Sequence, residues 1–184
     1  MRIIGGELRG RRLASFKGVK IRPTSDKVRE AVFNILPKDF GERFKQVLDL
    51  FAGTGAMGIE ALSRGAKEAT FVDSDVLAAS LIEKNIMLCR PGAAFFVKRD
   101  SLDAIRHLSG KGKVFDLIFI DPPYEAGLAE KVLREIDERG ILSPNGVVVA
   151  EASKRRPIDK TDLRLECVDE RRYGDTVVCF FERP

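Results

Sequence analysis

The chain has no tryptophan, one histidine (His107), two tyrosines and three cysteines, and each scarcity closes off a class of chemistry. A lone histidine argues against a Ser–His triad and against a metal site built on imidazole. Cys89, Cys167 and Cys179 are scattered, odd in number and never spaced as ligands. That is the usage of free thiols in a reducing cytoplasm, and no metal is expected. No apolar run approaches the roughly 20 residues a membrane span requires. The opening Met1–Gly6 lacks the apolar stretch of an export signal. A cytoplasmic protein with no membrane partner is therefore expected.

Hydrophobic residues make up 44% of the 184 positions and charged residues 33%, which describes an ordinary globular domain with room for a short accessory element. The net charge of +4 is unevenly spread. Residues 1–30 hold nine Lys/Arg (Arg2, Arg9, Arg11, Arg12, Lys17, Lys20, Arg22, Lys27, Arg29) against Glu7, Asp26 and Glu30. A basic arm on a near-neutral body suits a polyanionic partner, although such runs are also common on solvated faces.

Residues 1–22 alternate apolar and basic positions around Gly5-Gly6 and Gly10, which predicts small strands or a hairpin with a basic face. Thr24 or Ser25 can cap a helix carrying Val28, Val32, Phe33, Ile35 and Leu36 and ended by Pro37. A strand–helix rhythm follows. Strands are expected at 47–51, 69–73, 93–97, 115–120 and 146–150, with helices continuing from 59 and over 75–89, 102–108 and 127–139. That alternation calls for a doubly wound α/β sheet. Two further strands, 163–167 and 176–181, are joined through residues 171–175 without a helix, which suits an antiparallel pair.

Gly53-Thr54-Gly55-Ala56-Met57-Gly58 sits between a strand and a helix, where glycines allow a tight turn and close approach of a ligand. Read literally it is GxGxxG with Asp73 twenty residues beyond its first glycine, which is also the dinucleotide fingerprint. A nicotinamide enzyme is thus a rival on these residues. Two features favour a cationic cofactor instead. Asp49 precedes the first glycine by four residues, where a carboxylate faces the positive methionine end of S-adenosylmethionine but sits poorly beside a pyrophosphate. Asp100-Ser101 follows the third strand, where an acidic residue can hold an adenine amino group or simply cap a helix.

The fourth strand runs into Asp121-Pro122-Pro123-Tyr124, on the same carboxyl edge as the glycine turn. An exocyclic amine on guanine or adenine is a poor nucleophile because its lone pair is delocalised into the ring. Two acceptors on its N–H bonds, the Asp121 carboxylate and the Pro122 carbonyl, can turn that lone pair out of conjugation. Consecutive prolines stiffen the backbone and bring no competing donor. Tyr124 offers a face for a planar base. A proline-rich turn with a surface tyrosine is the bland alternative.

At this point the sequence resembles a known family, the bacterial 16S ribosomal RNA guanine-N2 methyltransferases of the RsmD type. The resemblance runs through Arg2-Ile3-Ile4-Gly5-Gly6, Arg9-Gly10-Arg11-Arg12-Leu13, Arg22-Pro23-Thr24-Ser25-Asp26, the glycine turn, Asp121–Tyr124 and Tyr173-Gly174-Asp175-Thr176. It implies a Rossmann-like class I methyltransferase with a mostly parallel seven-stranded sheet, a C-terminal antiparallel hairpin and a basic N-terminal β extension. The division would be 1–22 for the extension and 23–184 for the methyltransferase domain. It implies S-adenosylmethionine as cofactor, S-adenosylhomocysteine as product, and binding positions at Asp49, Phe51, Gly53, Thr54, Gly55, Asp73, Asp100 and Ser101. Asp73 stands where relatives often have Glu, a shorter reach to the ribose.

It further implies small-subunit ribosomal RNA as partner, within assembled or assembling subunits, and a monomer. Arg9, Arg11, Arg12, Lys20 and Arg22 would neutralise phosphates, and Thr24 would line the entrance or cap the helix. Asp121, Pro122, Pro123 and Tyr124 would be catalytic. The residues alone leave an adenine-N6 enzyme open, although 184 residues leave little room for a separate target-recognition domain. A non-catalytic RNA-binding assembly factor is the alternative from another class.

Overall fold

A computed structural model describes residues 1–15, 26–123 and 127–184. The described elements run α1 Asp26–Ile35, α2 Phe40–Arg43, β1 Gln46–Leu50, α3 Ala56–Ser63, β2 Glu68–Asp73, α4 Val76–Ile86, β3 Ala94–Lys98, α5 Ser101–Gly110, β4 Phe115–Ile120, α6 Leu128–Glu138, β5 Leu142–Ser153, β6 Glu166–Tyr173 and β7 Thr176–Glu182. The seven strands form one sheet in the order β3-β2-β1-β4-β5-β7-β6. The first five pair in parallel and β7 pairs antiparallel with both β5 and β6. The order reverses between β1 and β4, where open sheets of this kind place their ligands.

The central strands read as unbroken apolar runs because both faces are covered. Val47, Leu117, Phe119, Val147 and Val149 enter one core with Val32 and Phe33 of α1, Ile59 of α3 and Ile82 of α4. Leu48, Leu50, Ile118, Ile120, Val148 and Ala150 enter the other, against Ile105 of α5 and Val132, Leu133 and Ile136 of α6.

Several boundaries differ from the sequence expectation: β5 runs over Leu142–Ser153 rather than 146–150, and two others bear on the hairpin and the turn. The hairpin's first strand was expected at 163–167 and is Glu166–Tyr173, so Arg171, Arg172 and Tyr173 lie in the strand. The connection is only Gly174-Asp175, with Gly174 at φ 63° and Tyr173 paired to Thr176. The charges that suggested a loop mark an edge strand, where charged side chains block pairing with another chain. The strand expected to reach Phe51 stops at Leu50, because Phe51 takes φ 61° and opens the turn.

Among its described residues the N-terminal arm closes on itself through an antiparallel bridge, Arg2 to Arg12. Four of its amides, those of Ile4, Gly5, Glu7 and Leu8, donate to α3, while those of Ile3, Gly10 and Leu13 bond across the arm. The Glu60 carboxylate accepts from the N–H groups of Ile4 (2.8 Å) and Gly5 (2.7 Å), while Ser63 Oγ accepts from Leu8 N–H (2.9 Å) and donates to the Gly5 carbonyl (2.5 Å). Ile3 and Leu13 join the core beside α1 and α3. Glu60 also faces Arg64 (2.9 Å) and the fully buried Arg29 (3.7 Å), which donates to the Arg2 carbonyl and to Asp26 (3.2 Å). Gly6, at φ 73°, is pressed against α3 so closely that a Cβ would lie 1.7 Å from the Ser63 carbonyl oxygen.

Glu60→Ala should therefore cost about 3–5 kcal/mol, since it takes from the buried Arg29 its one buried carboxylate partner among the described residues and leaves two arm amides without an acceptor. A denaturant titration against the unaltered chain reads this directly, and a loss below about 1 kcal/mol would contradict it.

Candidate active site

Three left-handed residues within five positions make the turn between β1 and α3: Phe51 (φ 61°), Gly53 (φ 57°) and Gly55 (φ 76°). A phenylalanine held in that region is strained and persists only where its surroundings fix it. They do so here by hydrogen bonds. Ala52 N–H donates to the Val72 carbonyl (2.9 Å), Gly55 N–H to the Ala52 carbonyl (2.7 Å), and Gly53 N–H to Asp73 Oδ2 (2.8 Å). Gly58 lets α3 lie against β2, where a Cβ would stand 2.4 Å from the Phe71 ring.

Asp49 is 3% exposed, and Gly58 N–H donates to its Oδ2 at 2.9 Å. Burial is the main cause that pushes its carboxyl from 3.8 up to about 8; the Gly58 bond opposes this, and the negative charges of Asp73 and Asp121 add to it. Among the described residues no lysine or arginine pairs with Asp49. The ends of β1, β2 and β4 thus bring three carboxylates to one edge, and the buried one lacks a cation.

Asp73 Oδ1 accepts from Asp75 N–H (2.9 Å), so both its oxygens brace the backbone while each keeps a lone pair for a further donor. Asp100 caps α5, its Oδ1 accepting from Leu102 N–H (2.9 Å) and Asp103 N–H (3.5 Å), which is the capping role weighed from the sequence. Ser101 is buried, and its hydroxyl has no partner among the described residues. Both follow β3, whose Lys98 is in register with Asp73. Asp121 and Pro123 are exposed and Pro122 is half-buried at the end of β4. Tyr124 lies outside the described residues, as do Lys20, Arg22 and Thr24. Arg9, Arg11 and Arg12 are exposed and, among the described residues, enter no ion pair.

Sequence reasoning missed the residue that ties the arm to the glycine turn. Asn85 of α4 is 1% exposed. Its Nδ2 donates to the carbonyls of Ala14 (3.0 Å) and Thr54 (2.8 Å), and its Oδ1 accepts from Ala14 N–H (2.8 Å). Thr54 also donates from Oγ1 to Met1 Sδ at 3.5 Å. The signal was present, because Asn85 continues the buried stripe of Ala78 and Ile82 at helical spacing. A polar residue there has to satisfy a buried partner. Glu60, set among Ile59, Ala61 and Leu62, carried the same signal.

Comparison with known proteins agrees with this geometry. The family profile described as Conserved hypothetical protein 95 matches residues 1–182. Ribosomal RNA small subunit methyltransferase D of Escherichia coli K12 is 37% identical over 183 residues, covering 100% of this chain and 90% of that protein. A Bacillus subtilis protein named as a candidate rRNA methyltransferase, YlbH, is 36% identical, covering 100% of this chain and 99% of that one. Among solved structures, yhhF of Escherichia coli, described as a candidate methyltransferase, superposes with a TM-score of 0.84 at 33% identity, covering 100% of this chain and 97% of that one. The class I methyltransferase fold expected from the sequence is the fold observed.

Asn85→Leu keeps the volume of the side chain and strands three buried backbone groups. It should cost about 3 kcal/mol, and the Ala14 amide should lose its protection from hydrogen exchange before the core strands do. Unchanged protection at Ala14 would contradict the bridging role.

Proposed function

The chain belongs to the Conserved hypothetical protein 95 family, the RsmD-type ribosomal RNA methyltransferases, and from that premise we propose that it transfers a methyl group from S-adenosylmethionine to the N2 amino group of a guanine in small-subunit ribosomal RNA. The observation that carries the reading is the buried Asp49 beside Asp73 and Asp121, with no cation paired to it among the described residues. Such an edge attracts a positively charged cofactor and repels the pyrophosphate of a nicotinamide dinucleotide, so it favours the first over the rival. Asp49 and the turn at Phe51, Gly53, Thr54 and Gly55 would hold the methionine end. Asp73 would take the ribose hydroxyls on its remaining lone pairs, and Asp100 with the Ser101 hydroxyl would hold the adenine.

When bound, the cofactor supplies an electrophilic methyl group on a sulfonium. The chain's own task is positioning. The Asp121 carboxylate and the Pro122 carbonyl accept the two N–H bonds of the guanine amine and aim its lone pair at the methyl carbon. As positive charge develops on that nitrogen, the adjacent carboxylate stabilises it. The proton leaves from nitrogen toward Asp121 or solvent. Pro123 holds the loop stiff, and Tyr124 provides the stacking face for a base drawn out of the RNA. Arg9, Arg11 and Arg12, with Lys20, Arg22 and Thr24, form the phosphate-facing arm. The protein acts in the cytoplasm as a monomer on assembled or assembling small subunits.

Asp121→Ala should lower methyl transfer to undermethylated small subunits by about 100-fold or more while leaving cofactor affinity within a few-fold. Digestion to nucleosides should place the label on N2-methylguanosine. Label on N6-methyladenosine would keep the mechanism and replace the substrate. No transfer by the unaltered protein to subunits, free RNA or DNA would overturn the reading.

A further inference from the structure

A cavity of about 360 Å3 opens beside Pro122 and Pro123, between the start of α6 at Gly127 and the residues that follow β5. Ile120 of β4 pairs with Ala150 of β5, and β5 continues past the end of β4, still paired with β7, so that Glu151 and Ser153 line the cavity wall beyond Asp121. The chain past Ser153 is tightly held. Arg156 N–H donates to the Ser153 carbonyl (2.9 Å), Arg155 N–H to Ser153 Oγ (3.2 Å), and Lys154 N–H to the Asp175 carbonyl of the β6–β7 turn (2.8 Å). Lys154, Arg155 and Arg156 are consequently three successive exposed cations on a fixed backbone. Among the described residues Lys154 and Arg155 enter no ion pair, whereas Arg171 and Arg172 of the neighbouring hairpin are paired with Asp169 and Glu170.

We propose that this cavity and the basic turn beside it form a second RNA-binding site, which receives an unstacked nucleotide next to the target base and neutralises its phosphates with Lys154 and Arg155. The inference rests on the function proposed above and extends its substrate contact beyond the N-terminal arm. The volume falls in the range of small-molecule sites. Pro122, Pro123 and Ile158 supply an apolar surface for a base, and Ser153 and Glu151 offer hydrogen-bonding groups to its edge. The start of α6 adds the positive end of an eleven-residue helix, which favours a phosphate nearby. The carboxylates proposed to hold the cofactor lie toward β1 and β2, on the other side of β4. The arm is bonded to α3 and α4. RNA is thereby gripped on both sides of Asp121, which holds the target base at the sheet edge against thermal escape.

The test compares Lys154→Gln/Arg155→Gln with the unaltered protein on undermethylated small subunits and on RNA extracted from them. The expected result is at least tenfold weaker RNA binding near 0.1 M salt and a salt dependence shallower by about 1.4 log units per log unit, from two phosphates on a single strand. KM for RNA should rise with kcat retained, and cofactor affinity should be unchanged, which shows that the variant is folded. Arg171→Gln/Arg172→Gln should leave every one of these values where it was. Ala152→Phe, which narrows the cavity, should raise KM for RNA alone. The proposal is overturned if the Lys154/Arg155 variant keeps its affinity and salt slope while Arg9→Gln/Arg11→Gln/Arg12→Gln loses them. A cavity variant with unchanged KM overturns the nucleotide pocket. An unaltered protein that neither binds nor methylates RNA overturns the functional reading itself, and this inference with it.

Discussion

A carboxylate placed in the core, with no cation paired to it among the described residues, is the constraint around which the site is arranged. Asp49 lies in β1, flanked by β2 and β4 near the middle of the sheet, and it cannot reach solvent. The neighbouring strand ends add two more negative groups rather than relief. A carboxyl whose folded value is raised to about 8 favours the fold at low pH, and that contribution is lost between pH 4 and pH 8 as the ionised form takes over. The apo protein therefore folds with this proton taken up. A cationic ligand reverses the sign, since it stabilises the ionised form. The turn at Phe51 has the same logic: its backbone conformation, like the charge of Asp49, is held at some cost by the surrounding fold.

The arm belongs to this arrangement through polar bonds more than through apolar contact. Glu60 and Ser63 take up its amides, and Asn85 joins Ala14 to Thr54 across α4. Exposed arginines at Arg9, Arg11 and Arg12 are thus carried on a loop whose base touches the glycine turn. Displacing the arm would disturb the turn, and ordering the turn would steady the arm. The basic arm and the glycine turn are mechanically continuous in this chain.

Much of this was legible in the sequence. Apolar runs such as Phe115–Ile120 identify strands covered on both faces, and the Gly53–Gly58 spacing with Asp49 and Asp73 marks a glycine turn that two carboxylates accept from. Local pattern did not reveal where polar groups inside the fold find their partners. Glu60 and Asn85 look like ordinary helix residues in sequence because the backbone groups they bond lie 31 to 71 positions away. The start of β6 differs because its exposed charges read as a connection, and the pattern of the arm gives no sign that the amides of Ile4, Gly5 and Leu8 turn to side chains of α3. Phe51 was read as strand because nothing in its identity announces a positive φ.

The most direct test of the account is the number of protons released when S-adenosylmethionine binds, measured by calorimetry in buffers of different ionisation enthalpy from pH 6 to 9. If a cation meets the buried Asp49, binding near pH 7 should release close to one proton. Affinity should rise about tenfold per pH unit below 8 and level off above it. Asp49→Asn should flatten both dependences. Binding that releases no proton and is independent of pH across this range would contradict the claim that the buried carboxylate receives the cofactor.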